Sequence, residues 1–182
     1  VFFRISKYDP RYRSADGGDT RDEWTDISVF EDYHSDWNEF LRIETAYWTC
    51  IREFLERIGI EKIAITNIER HPDIDDLGIG LCADALSFLE RTPPKNGQFV
   101  DLSTLERYFR AAFRGAFWFY GVGEHTTHFG FGFDSYCYLR TNCNIKPPSV
   151  PGVFVEDVSD AQWPFEIPFK NISAQSGNAE EH

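Results

Sequence analysis

In a chain of 182 residues, 30 acidic against 18 basic side chains leave a formal net charge of −12. That balance opposes nucleic acid as a direct partner, because phosphate binding needs clustered Lys and Arg. Seventeen Phe within a 16% aromatic content supply a large core, so the acidity does not signal disorder, and the length fits one domain.

Residues 1–8 alternate Phe2, Arg4 and Ser6 against Phe3, Ile5 and Lys7, the period of a strand, and Asp9-Pro10 ends it. Residues 11–35 lack periodicity, and Asp16-Gly17-Gly18-Asp19 marks a loop tip. Within this stretch Asp22, Glu23, Asp26, Glu31 and Asp32 surround Trp24, Phe30 and Tyr33. Carboxylates supply charge-assisted hydrogen bonds and rings supply anchors, a chemistry suited to gripping Arg and Lys.

A helix is predicted over 37–58, capped by Asp36 and stopped by Gly59. Its stripe of Phe40, Ile43, Tyr47, Cys50, Ile51, Phe54, Leu55 and Ile58 recurs at threes and fours and faces a sheet. Residues 60–68 read as a strand with Lys62, Ala64, Thr66 and Ile68 opposite Ile63, Ile65 and Asn67. Around His71-Pro72 lies a second acidic stretch, followed by a short helix over 81–89, an Asn96-Gly97 turn and a short strand at Phe99-Val100. Ser103, backed by Glu106, predicts the start of another amphipathic helix running to about residue 116.

Residues 117–122 form a strand that turns through 123–126 into the most patterned stretch of the chain, HFGFGFDSYCYLR at 128–140. Read as one long strand, it puts Phe129, Phe131, Phe133, Cys137 and Leu139 on a packed face and His128, Gly130, Gly132, Asp134, Tyr136, Tyr138 and Arg140 on an open one. A sheet with one open face is usually antiparallel. A last strand over 152–158 is followed by a Pro-broken coil over 163–172 and a frayed, disordered tail at 173–182. The expected fold is a single α+β domain over 1–172, two-layered, with a mainly antiparallel sheet and helices on one face.

Little of the chain carries catalytic signal. His125 and His128 form an HxxH, but no Cys or acidic residue stands at a spacing that would complete a zinc site. Cys137 and His128 fall on opposite strand faces, which separates thiol from base. Gly121-Val122-Gly123 and Gly130-Phe131-Gly132 lack the helix and Lys of a phosphate loop. No metal, cofactor or catalytic residue is assigned; a small carboxylate-dependent hydrolase or nucleotide-processing enzyme near Asp134 and His128 is the alternative. No apolar run reaches the length of a membrane span, no leader pattern opens the chain, and the four cysteines include no CxxC, so a cytoplasmic protein without membrane partners is expected.

Three pieces carry a resemblance: Lys7-Tyr8-Asp9-Pro10, then Asp22-Glu23-Trp24-Thr25-Asp26-Ile27-Ser28, then 131–138. In this order they resemble a group of small acidic bacterial proteins, the immunity proteins encoded beside polymorphic or contact-dependent growth inhibition toxins. The chain departs from that group at Val29-Phe30-Glu31. The resemblance implies a cytoplasmic antidote that binds the C-terminal domain of one cognate toxin, one to one, and blocks it. The charge adds that such a partner is basic, as a nuclease is. The residues expected to bind it are Asp22, Glu23, Trp24, Asp26, Glu31 and Asp32, then Asp134, Tyr136 and Tyr138.

Overall fold

The computed structural model describes residues 1–14, 20–21, 36–70, 83–132 and 136–160. Its strands are β1 (Phe2–Ser6), β2 (Lys62–Arg70), β3 (Gln98–Asp101), β4 (Phe117–Gly123), β5 (Thr127–Phe131), β6 (Cys137–Arg140) and β7 (Phe154–Asp157). Its helices are α1 (Trp37–Arg57), α2 (Ala83–Arg91) and α3 (Leu102–Phe113), with a 3₁₀ turn at Pro10–Tyr12. One sheet in the order β3-β2-β4-β5-β6-β1-β7 joins the strands, and every pairing is antiparallel. The expected α+β class, with helices over one face of an antiparallel sheet, is the observed one.

The connection from β1 to β2 crosses four strand positions, about 19 Å at the usual strand spacing. α1, with 21 residues, is about 31 Å long, enough to bridge that distance. Asp36 caps it by accepting from the Asn38 N–H at 3.0 Å, and Gly59 follows its end at φ 75°, where an L side chain would be strained. Its whole predicted stripe is buried. Ala46, Trp48 and Glu44 are buried as well, because α3 lies alongside α1 and the Trp48 and Phe109 rings meet at 5.7 Å. The sheet supplies the other half of the core, with Phe119, Phe129 and Phe131 edge to face and Phe131 stacked on Phe109 of α3.

Three expectations are corrected. Residues 128–140 do not make one strand: β5 and β6 form a hairpin, closed by a 2.7 Å bond from the Gly132 N–H to the Tyr136 carbonyl. The pattern survives because Phe129 pairs with Leu139 and Phe131 with Cys137, so paired positions have the same parity and odd residues still share the core face. The cap of α3 is Asp101, not Ser103. Its carboxylate accepts from the Thr104 N–H at 2.8 Å and from the Ser103 hydroxyl at 2.9 Å, so the last residue of β3 is also the helix cap. Finally, β2 carries a bulge between Thr66 and Glu69, with Asn67 at φ 48°. The extra residue reverses the alternation, turning Ile68 onto the core and Glu69 onto the open face.

Candidate interaction face

The pairing register defines what the face opposite the helices presents. One cross-strand row runs Phe99, Ala64, Val122, His128, Arg140, Phe2, of which Ala64, His128 and Phe2 are buried. The next runs Thr66, Tyr120, Gly130, Tyr138, Arg4, Glu156. Directly opposed side chains on one face lie close enough to interact, so each row is a contiguous strip of chemistry.

At the β6-β1-β7 end the strip is internally bonded. Glu156 receives Arg4 at 3.2 and 3.3 Å and Arg13 at 2.7 Å. Partial burial works against its charge, but the two guanidinium groups prevail and hold its pKa below the usual carboxylate value. The Arg4 guanidinium lies 5.3 Å from the centre of the Tyr136 ring and that of Arg13 at 5.9 Å. Tyr136 meets Tyr8 and Tyr138, and Phe2 lies 5.8 Å from Tyr138. The Tyr138 ring rests on Gly132, where an added Cβ would come within 2.6 Å of it. Tyr136 and Tyr138 thus stand on the open face as expected, half-buried in a cluster with the Arg4 and Arg13 guanidinium groups over the Tyr136 ring.

The β3-β2-β4 end is different. Phe99 on edge strand β3 is 56% exposed and Trp118 on β4 is 38% exposed. Glu69 pairs directly with Trp118, and its negative charge, after partial burial, helps raise the pKa of Tyr120. Asp101 stands two residues beyond Phe99 on the same face, opposite Lys62. Exposed aromatic rings therefore sit beside carboxylates here, the combination that the sequence reading placed at Trp24. The signal for it lies in the alternation of Phe99 and Asp101 and in the Asn67 bulge, which no period-two reading locates.

Of the sequence-predicted residues, Asp22, Glu23, Trp24, Asp26, Glu31, Asp32 and Asp134 lie outside the described residues. The Thr20 N–H and hydroxyl donate to the Tyr12 carbonyl at 2.8 and 2.7 Å, and the Arg21 guanidinium lies over the Tyr12 ring at 4.7 Å. His128 is on the open face yet 2% exposed, and burial, with Arg140 close by, lowers its pKa below the usual histidine value. Among the described residues, no three His, Cys, Asp or Glu side chains converge as a metal site would require. Cys50 and Cys137 are buried thiols whose pKa values burial pushes up, Cys50 to about 12, which keeps them protonated and unreactive. No described helix is long and apolar enough to cross a membrane. Compared with protein-family models, with curated proteins and with solved structures, the chain finds no match.

Proposed function

We propose that this chain is a cytoplasmic immunity protein, which binds the C-terminal domain of a cognate basic toxin, of nuclease type, one to one and holds it inactive. The observation that carries the reading is two exposed rings each near a carboxylate, Trp118 opposite Glu69 and Phe99 two residues from Asp101, on a chain of net charge −12. The resemblance of its three sequence pieces to immunity proteins points the same way.

Inhibition on this reading is a binding event, with no bond made or broken on this chain. Coulomb attraction raises the encounter rate with a basic partner by roughly 10- to 1,000-fold at low salt. A contact of about 1,200–2,000 Å² then holds the complex, with aromatic rings as anchors and carboxylates meeting the Lys and Arg that a nuclease aims at phosphate. Among the described residues, Trp118 with Glu69 and Phe99 with Asp101 have that composition; Asp22 to Asp32 around Trp24 have it in the sequence.

The test is to mix the protein with the C-terminal domain encoded by the gene immediately upstream. A 1:1 complex that abolishes the toxin's activity is expected, and Trp118→Ala with Glu69→Lys should weaken it by roughly 30-fold or more, as loss of a central anchor does. Absence of a complex, or turnover of a substrate by the isolated protein, overturns the proposal. A complex indifferent to that double substitution removes this patch from the interface.

A further inference from the structure

A cleft of about 190 Å³ opens between α2 and α3, in the helix layer and away from the open sheet face. From α2 it takes Asp84, Ala85 and Phe88. Arg107, Arg110 and Ala111 of α3, with Arg114 just past its end, complete the lining. Positions 107, 110, 111 and 114 are spaced 3, 4 and 7 apart, so one stripe of a helix carries all three arginines over a floor of alanine. Three arginines and one aspartate line the cleft, and two of those arginines are neutralised from behind by carboxylates.

These arginines are not equivalent. Glu44 of α1, fully buried, takes Arg114 at 2.6 and 2.9 Å and Arg110 at 2.8 Å, and Glu106 takes Arg110 at 2.7 and 3.0 Å. Both carboxylates stand outside the lining and fix the two guanidinium groups as a wall. Arg107 meets no carboxylate among the described residues; its guanidinium lies 3.6 Å from the centre of the Phe88 ring. A stacked guanidinium occupies its face and leaves its in-plane N–H groups to point outward as a fork, the geometry that matches a carboxylate bidentately.

We propose that this cleft binds a small aromatic carboxylate, its carboxylate on the edge of Arg107 and its ring over Ala85 and Ala111. The volume corresponds to about six waters, which suits one substituted ring and is small for a nucleotide. Asp84 at the rim selects against ligands that carry a second negative charge. The site is separate from the toxin-binding surface and does not depend on it.

The experiment is an NMR titration of the full-length protein with benzoate, and in parallel with benzamide, its neutral isostere. Benzoate should shift the Ala85, Ala111 and Arg107 signals saturably in the millimolar range expected of so small a ligand. Benzamide should bind about tenfold more weakly or worse, because a charge-assisted bidentate contact is lost. Arg107→Gln, at an exposed position, should keep the spectrum of the folded chain and lose about tenfold in benzoate affinity; Ala85→Leu, which fills the cleft without changing its charge, should abolish binding. Equal affinity for benzamide, undiminished binding by Arg107→Gln, or no saturable shift at the cleft overturns the proposal.

Discussion

Glu44 and Gly121 are each tightly constrained by their neighbours. Glu44 is a carboxylate at 0% exposure answered by two arginines. A buried ion pair adds little over an apolar pair, but removing one partner strands the other. Glu44→Gln should therefore cost about 3 kcal/mol of unfolding free energy in urea titrations. Glu106→Gln, which breaks a half-exposed pair one helical turn from Arg110, should cost less than about 1 kcal/mol. Gly121 faces the core in mid-strand, where an added Cβ would come within 2.1 Å of the Phe129 ring and 2.8 Å of the Ile63 side chain. Gly121→Ala should lower stability by about 1–3 kcal/mol, read as a fall in the thermal midpoint, since overpacking forces rings off their rotamers.

Among the elements, the junction of β3 and α3 distinguishes two capping schemes. Asp101 accepts the Thr104 N–H in the first turn of α3, whereas the Ser103 hydroxyl donates to the Asp101 carboxylate. Asp101→Ala should cost about 1 kcal/mol and Ser103→Ala a fraction of that, measured side by side by denaturant unfolding. The local sequence offers both residues as caps, and only the end of β3 decides between them. The β5-β6 hairpin has the same ambiguity on a larger scale. Alternation reports which residues share a face, but pairing of residues of the same parity leaves that alternation unchanged, so a long strand and a hairpin carry the same pattern.

For the whole molecule, charge and pH act together. His128 has a folded-state pKa below its ordinary value of 6.5, for burial and for Arg140. Below about pH 6.5 the unfolded chain takes up a proton that the folded chain resists, so this residue's contribution is present above that pH and is lost as pH falls toward the folded pKa. The urea midpoint should drop between pH 7.5 and 5.5, a window in which ordinary carboxylates remain ionised, and should drop less in His128→Gln. On the proposed function, the association rate with the toxin should fall steeply with added salt, as the screening length shrinks to about 8 Å near physiological ionic strength. A stopped-flow rate independent of salt would remove steering from the account.

The sequence alone determined the α+β class, the extent and buried stripe of α1, the faces of the strands other than β2 beyond its bulge, and the acidic surplus. All of these follow from local periodicity and composition, which are properties of the chain read along its length. Tertiary structure decided the rest. Where the 128–140 stretch folds back, which residue caps α3, how Asn67 turns Glu69 toward Trp118, and how Glu44 reaches Arg110 and Arg114 all depend on residues distant in the chain. The candidate patch and the arginine cleft both belong to this second group, because each is assembled from separate elements and a one-dimensional pattern cannot record which elements become neighbours.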